Sequence, residues 1–154
     1  MRLNYHTHEK PENRQKDYGV IMNALNHGTA TGRIAKPLAI FTNKDGSRSV
    51  FVTLAVTNNW KDKATGEYKA QFVTFKAFVA ASKTDLGVYA NLEKGDKISI
   101  SYSLRQNNFM QTDGTMKYDQ YCHIEGVQFM ESLSEKADRK ARAANKAANA
   151  TATA

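Results

Sequence analysis

The chain has 154 residues and a formal net charge of +7, with 22 lysines and arginines against 15 aspartates and glutamates. That length suits one domain with tails and is enough to bury a core without disulfides or metals. The single cysteine excludes an internal disulfide and a paired-cysteine metal site. No apolar run approaches the roughly 20 residues that span a bilayer. We therefore expect a cytoplasmic protein with no membrane role, and the positive charge favours an acidic partner, nucleic acid first.

Three zones differ in composition. Residues 1–20 are polar and predict a flexible N-terminal arm. Residues 21–130 hold nearly all the aromatic and β-branched residues and predict one folded domain. Residues 131–154 form a basic, alanine-rich tail that opens on Ser132-Leu133-Ser134-Glu135, which fits a helix capping box. We expect this tail to be partly helical or disordered, serving either as a solvated segment or as an electrostatic arm for phosphates.

Five segments predict β-strands, because apolar and β-branched residues recur there between turn residues. They are residues 24–34, 50–56, 72–79, 98–104 and 118–127. Residues 82–92 carry apolar side chains near helical spacing, with Ser82 or Thr84 as a cap and Gly95 at the end. Pattern alone predicts a small, mostly β domain with one helix. Three strands, a short helix and two strands is also the element order of the OB-fold, a five-stranded Greek-key barrel.

The only tryptophan, Trp60, lies in a polar segment among lysines, between the second and third predicted strands. Thr65-Gly66 supplies the turn residues of a hairpin there. An exposed indole beside cations can stack on a nucleobase while the lysines contact phosphates. Alternatively, the indole folds back over its own hairpin as local packing. On the third strand, alternation places Phe72, Thr74, Lys76 and Phe78 on one face.

A series of short motifs follows the same order as in a known family. They are Gly32-Arg33-Ile34, Thr53-Leu54-Ala55-Val56, Trp60-Lys61-Asp62-Lys63-Ala64-Thr65-Gly66-Glu67, Leu92-Glu93-Lys94-Gly95-Asp96-Lys97-Ile98, Leu104-Arg105, Phe109, Asp113-Gly114 and Tyr118. Over about residues 23–130 the chain resembles the bacterial single-stranded DNA-binding protein (SSB) family. The resemblance implies an OB-fold that wraps single-stranded DNA without sequence preference, usually as a homotetramer. It also implies that Trp60 and Phe109 stack on bases and that Lys76 is a basic contact.

Several positions depart from the family pattern. Thr74 and Ala80 occupy places where the family carries aromatic residues. Phe72 and Phe78 either replace those aromatics or pack at a subunit contact. The first strand is more polar than usual, and the tail lacks the family's acidic, apolar tip. These departures indicate a divergent accessory member, of the kind carried by plasmids or phages.

The leading hypothesis is a non-catalytic module that binds single-stranded DNA, and RNA or duplex DNA more weakly, as a homo-oligomer. It would protect the strand during replication, recombination or DNA transfer. Base stacking is assigned to Trp60, Phe72, Phe78 and Phe109, and phosphate contacts to Lys61, Lys63, Lys69, Lys76, Arg105 and Lys117. The alternative is an OB-fold assembly or loading factor that mainly binds a protein partner, with modest DNA or RNA affinity.

The sequence offers little for catalysis, so we expect no enzyme, no cofactor and no metal. Its turn carboxylates are expected to be solvated surface charges; they are Asp62, Glu67, Asp96, Asp113 and Asp119. Cys122 and His123 are neighbours on one strand and therefore point to opposite faces, which prevents a nucleophile–base pair. The chain contains no glycine-rich phosphate loop.

Overall fold

Six β-strands and one α-helix form most of the described chain, which in this computed structural model comprises residues 23–152, with side chains to residue 150. The elements are β1 (Gly28–Ile34), β2 (Ala39–Thr42), β3 (Arg48–Lys61), β4 (Tyr68–Val79), β5 (Lys97–Met110), β6 (Met116–Phe129) and α1 (Leu133–Ala152). A short 3-10 helix, Gly87–Asn91, lies between β4 and β5. The arm predicted for residues 1–20 lies outside the described residues.

Five of the strands close into a barrel in the order β1, β5, β6, β4, β3 and back to β1. Neighbouring strands are antiparallel except β4 and β6, which run parallel where Phe75 aligns with Cys122. The barrel closes where Arg33 and Ile34 of β1 pair with β3, and β2 adds a short hairpin to the outer edge of β3. The predicted five-stranded OB-fold barrel is therefore confirmed.

Alternate residues of the strands fill the barrel, because successive side chains of a strand point to opposite faces. The fully buried members of this core are Ile34, Val50, Val52, Leu54, Phe75, Ile98 and Ile100. The Phe75 ring also contacts Tyr102, with ring centroids 5.2 Å apart. Because Phe75 points inward, its neighbours in the opposite phase of β4 point outward. The shared outer face predicted for Phe72, Lys76 and Phe78 is thus confirmed.

The segment between β4 and β5 contains less helix than the sequence predicts. Gly87 has a left-handed backbone, with φ of +57°, which an α-helix starting earlier in the segment cannot accommodate. The helix that follows is of the 3-10 type, and the Tyr89 N–H donates to the Leu86 carbonyl at 3.3 Å. Leu86, Tyr89 and Leu92 nevertheless pack against the core. Their helical spacing therefore reflects one short turn that covers the barrel.

The α-helix of the described residues, α1, lies after the barrel and begins with the predicted capping box. The backbone N–H of Ser132 donates to Glu135 Oε2 at 2.8 Å, and the backbone N–H of Glu135 donates to Ser132 Oγ at 3.2 Å. Both bonds satisfy donors that a helix start would otherwise leave free, so the capping box is confirmed. From residue 141 to residue 150 every side chain of α1 is exposed. Among the described residues, no helix is both long and apolar enough to cross a membrane.

Ion pairs attach the first half of α1 to the barrel. Lys136 Nζ and Arg139 Nη2 donate to the two carboxylate oxygens of Asp96 at 2.8 and 2.7 Å, and Lys140 Nζ lies 2.6 Å from Glu93 Oε2. The Asp96 side chain is only 2% exposed. The expectation that Asp96 is a solvated turn charge is therefore wrong, because these α1 cations reach over the turn that precedes β5.

Candidate nucleic-acid interface

The outward sides of β3, β4, β6 and β5 form one continuous surface. Phe51 on β3 lies directly opposite Lys76 on β4, Lys76 aligns with His123 on β6, and His123 lies opposite Ser103 on β5. Paired residues of neighbouring strands share a face of the sheet. This row therefore crosses four strands on the outside of the barrel. We call the surface around it the barrel face, defined by Phe51, Lys76, Phe78, Arg105, Tyr121 and His123.

Lys76 occupies the centre of the barrel face. Its Nζ lies 5.7 Å from the centre of the Phe51 ring and 5.2 Å from the centre of the Tyr121 ring, within the range of cation–π attraction. With Phe78, Arg105 and His123 it lines a shallow cavity of about 290 Å³. A cation between aromatic rings offers one phosphate contact and two adjacent stacking surfaces, which is the combination that single-stranded nucleic acid requires.

Arg105 is held on the barrel face by Glu125. Its Nη2 donates to Glu125 Oε1 at 3.0 Å, and Ser103 Oγ donates to the same oxygen at 2.6 Å. The Ser103 hydrogen bond first, and then Arg105, lower the pKa of Glu125 below its usual range. Glu125 is the extra residue of a β-bulge in β6, because Ser101 pairs with Gly126 and Tyr102 with Ile124. The bulge fixes the guanidinium as an oriented, partly neutralised cation.

His123 is the one titratable imidazole of the barrel face. Burial lowers the pKa of His123 first, the nearby Arg105 and Lys76 cations lower it further, and Glu125 acts in the opposite direction. The ring also contacts Tyr121 edge to face, with centroids 6.3 Å apart. These surroundings favour the neutral form of His123, and an anion placed beside these two cations raises its pKa.

The hairpin between β3 and β4 carries Trp60. Its turn is fixed by Asp62, whose Oδ1 accepts the backbone N–H groups of Ala64 and Thr65 at 3.0 Å each, and by Gly66 at φ of +71°. The Trp60 side chain is 61% exposed. In the described part of the chain its ring takes part in no aromatic or cation–π pair, whereas a folded-back indole would cover its own hairpin.

The lysines of this hairpin differ in their surroundings. Lys61 Nζ lies 5.6 Å from the centre of the Tyr68 ring, and Lys63 is exposed in the turn. Lys69 Nζ donates to Asp62 Oδ2 at 2.7 Å, and this hydrogen bond is the largest cause of the lowered pKa of Asp62. Lys61 and Lys63 are thus the more available cations, and Lys69 shares its charge with the turn.

The hairpin between β5 and β6 repeats the combination of an aromatic ring and a lysine. Phe109 pairs with Lys117, and Lys117 Nζ lies 5.6 Å from the centre of the Phe109 ring. The turn closes where the Gln111 N–H donates to the Thr115 carbonyl at 2.8 Å. Both residues lie in the same alternation phase as Arg105, so they extend the barrel face toward the tip of the hairpin.

Phe72 lies apart from the Lys76 centre on the outer face of β4. It pairs with Ala55 and is 69% exposed. Between Phe72 and Lys76, the Thr74 hydroxyl forms a hydrogen bond of 2.9 Å with the hydroxyl of Thr53. A small polar pair therefore occupies the place where the family resemblance implies an aromatic residue. Phe78, at the other end of this row, is 56% exposed. Both phenylalanines remain open to base stacking or to a subunit contact.

The structure groups the ten predicted site residues in four places. Lys76, Phe78 and Arg105 meet on the barrel face; Phe72 lies farther along β4; the two hairpins hold the rest, which are Trp60, Lys61, Lys63 and Lys69 on one and Phe109 and Lys117 on the other. Four aromatic residues on or beside this surface were not among those predicted from the sequence. They are Phe41, Phe51, Tyr121 and His123. Phe41 contacts Phe51 edge to face at 5.7 Å. These four side chains point to the same outer face as Lys76 and Arg105, which the alternation of side chains along each strand indicates once the strands are aligned.

The described residues offer no group of histidine, cysteine and carboxylate side chains that could hold a metal ion. Cys122 is partly buried against the core, and burial raises the pKa of its thiol. His123, its neighbour, lies on the barrel face. A thiol of raised pKa without a facing base is a poor nucleophile.

Comparisons with known proteins identify the family to which this chain is similar. The sequence profile of the "Single-strand binding protein family" matches residues 25–130. "Single-stranded DNA-binding protein 1" of Xylella fastidiosa is 28% identical over 97 residues, covering 63% of this chain and 71% of that protein. "Single-stranded DNA-binding protein" of Rickettsia felis is 26% identical over 95 residues, or 62% of each chain, and that of Rickettsia conorii is 25% identical over 95 residues. The chain thus spans less than two thirds of the Rickettsia proteins it matches.

The profile match covers every strand of the closed barrel, from β1 to the end of β6, and it includes both hairpins and the whole barrel face. The chain therefore belongs to the single-strand binding protein family.

Proposed function

We propose that this protein binds single-stranded DNA without sequence preference and has no catalytic activity. The observation that carries the proposal is Lys76 between the rings of Phe51 and Tyr121, on an outer face that leads to exposed aromatics on two hairpins. Each base stacked on such a ring contributes about 1–3 kcal/mol, and every base has a π face. Family membership supports the same partner.

The strand would lie across the barrel face and between the two hairpins. Trp60 and Phe109 would stack on bases from opposite sides, with Phe78 and the rings beside Lys76 between them. Among the lysines of the predicted site, those without a carboxylate partner in the described part of the chain would contact phosphates; they are Lys61, Lys63, Lys76 and Lys117. Because phosphate contacts release counterions, the affinity falls as the salt concentration rises. The biological role we propose is to protect single strands during replication, recombination or DNA transfer.

The direct test is a titration of Trp60 fluorescence with oligo-dT at low salt. We expect quenching that saturates, weakens with salt and is matched by other base compositions. Duplex DNA and RNA of equal length should bind more weakly. No change in fluorescence together with no mobility shift at low salt would contradict the proposal. It would favour the alternative of an assembly factor that binds a protein partner.

Two aromatic substitutions on one hairpin give a matched comparison. Phe109 shares the barrel-face phase, whereas Tyr118, 63% exposed, points to the other side of the same hairpin because it pairs with Asn108 in the next register position. Phe109→Ala is expected to weaken binding of a labelled oligo-dT by about 1–3 kcal/mol, and Tyr118→Ala is expected to leave it unchanged. Equal losses would show that the hairpin acts through its fold and not through stacking.

We further propose that the protein acts as a homo-oligomer, as family resemblance implies. Light scattering with and without a long single strand measures this directly. A tetramer whose mass is independent of DNA would indicate wrapping, and a monomer or dimer that accumulates along the strand would indicate assembly on it. Base stacking by Phe72 or Phe78 is compatible with the first result only if those rings stay outside the subunit contact.

A further inference from the structure

A cavity of about 470 Å³ lies between α1 and the barrel, away from the barrel face. Four cations and two carboxylates line it together with Met130; they are Arg33, Lys97, Arg139 and Arg142, and Glu131 and Glu135. An excess of positive charge in a concave site concentrates anions. The cavity is therefore a candidate anion-binding site, separate from the barrel face.

Two of the four cations are already neutralised. Arg33 forms an ion pair with Glu131, and Arg139 contacts Glu131 as well as the buried Asp96. The other two, Lys97 and Arg142, form no ion pair with any described residue. Arg142 Nε donates to the carbonyl of Asp138, in its own helix, at 3.3 Å, which orients the guanidinium without neutralising it. Glu131 thus holds Arg33 and Arg139, and Glu135 caps α1 through Ser132. The hydrogen bonds with Ser132 first, and then nearby Lys97, lower the pKa of Glu135. Lys97 and Arg142 are the cavity cations left without an ion pair among the described residues.

The cavity depends on the ion pairs that hold α1. Lys136 and Arg139 reach Asp96 at 2.8 and 2.7 Å, and Asp96 also accepts the Glu93 backbone N–H at 2.9 Å. These contacts attach the first two turns of the helix to the turn before β5. Arg142 follows Arg139 by three residues, so it lies on the same side of α1 and completes the wall of the cavity. A helix held in this way presents its cation at a fixed place.

A groove connects this cavity to the proposed DNA path. It has a volume of about 400 Å³ and shares Arg33 and Lys97 with the cavity, while Ala55 forms part of its other end. The strand register places Lys97, Arg33, Ala55 and Phe72 side by side across four strands. At about 4.8 Å per strand, Lys97 lies roughly 15 Å along the surface from exposed Phe72. Among the residues that the structure describes, no acidic side chain lines the groove.

We propose that this groove and cavity bind the sugar–phosphate backbone of the same single strand after it leaves Phe72, with Lys97 and Arg142 as the phosphate contacts. The inference rests on the proposed function, because it extends that DNA path. It gives α1 a role: the barrel carboxylates hold the helix so that one of its cations faces the nucleic acid.

The test compares two exposed basic residues of α1 that differ in place. Arg142 lines the cavity, whereas Lys146, four residues later, does not. Each of Arg142→Ala, Lys97→Ala and Lys146→Ala is titrated with a labelled dT oligomer of roughly 30 nucleotides, beyond the ~4–16 that one OB-fold covers, and with one of about 5. The measured quantity is the slope of log K against log salt concentration.

With the long oligomer, Arg142→Ala and Lys97→Ala are each expected to reduce the magnitude of the slope by about 0.7, the value for one phosphate contact to a single strand. Lys146→Ala should keep the wild-type slope, and the short oligomer should bind all four proteins alike. Equal effects of Arg142→Ala and Lys146→Ala on the slope, or no effect of either, would overturn the inference. The proposed function would still stand if the short oligomer quenched Trp60 fluorescence. Absence of that quenching would overturn both.

Discussion

The substitution Asp96→Asn tests how the barrel holds α1. It preserves the size of the side chain and the acceptor for the Glu93 N–H but removes the charge that Lys136 and Arg139 share. The Asp96 side chain is 2% exposed, and those of Lys136 and Arg139 are 18% and 25% exposed. All three charges therefore lie where water screens them poorly.

The loss of stability expected from Asp96→Asn follows from the two contacts that lose the Asp96 charge. A hydrogen bond to a charged group contributes about 1.5–3 kcal/mol. Both cations retain a second partner, because Lys136 Nζ lies 3.5 Å from Glu93 and Arg139 Nε lies 3.4 Å from Glu131. We therefore expect the free energy of unfolding to fall by about 2–4 kcal/mol, less than two complete contacts.

Urea unfolding followed by circular dichroism measures this loss, with Glu93→Gln as the control. Glu93 pairs with Lys140 and lies 3.5 Å from Lys136, and the Glu93 and Lys140 side chains are about half exposed, so the control is expected to lose clearly less stability than Asp96→Asn. A stabilising role for the buried Asp96 charge is refuted if Asp96→Asn is as stable as wild type, or if the two variants lose equal amounts of stability.

The pH dependence provides a second check on Asp96. Burial raises the pKa of this carboxyl, but hydrogen bonds from Lys136 and from the Glu93 backbone outweigh burial and leave the pKa below its usual value. The unfolded chain then binds more protons than the folded one as the pH falls below about 4. The stability difference between wild type and Asp96→Asn is therefore complete above that pH and closes as the pH falls through the folded pKa.

Three further predictions concern the barrel face and the core. Lys76→Met keeps an aliphatic side chain over its two rings and should lower the salt slope of oligo-dT binding by about 0.7, whereas Lys94→Met, in the turn before β5, should not; equal slopes would contradict a phosphate contact. Because DNA phosphates would oppose the cations that lower the pKa of His123, binding should take up a proton. Affinity should therefore rise as the pH falls through the pKa of His123 in the complex, and His123→Asn should abolish that rise without changing affinity at high pH. Phe75→Ala removes a ring that is 1% exposed and should reduce the free energy of unfolding by about 3–5 kcal/mol, measured in urea; a loss below 1 kcal/mol would mean that the core does not depend on this ring.

Local physics made much of the fold predictable from sequence. Alternation along β4 separated buried Phe75 from exposed Phe72 and Phe78, because side chains of a strand alternate between faces. The capping box of α1 could be predicted from Ser132 and Glu135, since both bonds join residues three apart. These features depend only on residues that are close together in the chain.

The candidate site was only partly predictable, because its centre depends on strands that are distant in sequence. Lys76 was selected, but its partners Phe51 and Tyr121 come from β3 and β6. The parallel alignment of Lys76 with His123 joins residues on strands that are not consecutive. Resemblance to the family indicated individual positions, whereas the register of the closed barrel decided which side chains meet.

By itself, the sequence determined the five strands of the barrel, their inward and outward faces, the hairpin turns and the start of α1, because each follows from propensity and periodicity over a few residues. The short strand β2 was not predicted. Only the tertiary structure decided that Asp96 is buried beneath Lys136 and Arg139, and that Arg142 stands beside Lys97. Burial and charge pairing depend on which surfaces come together in space, and a turn aspartate is identical in sequence whether water or a helix covers it.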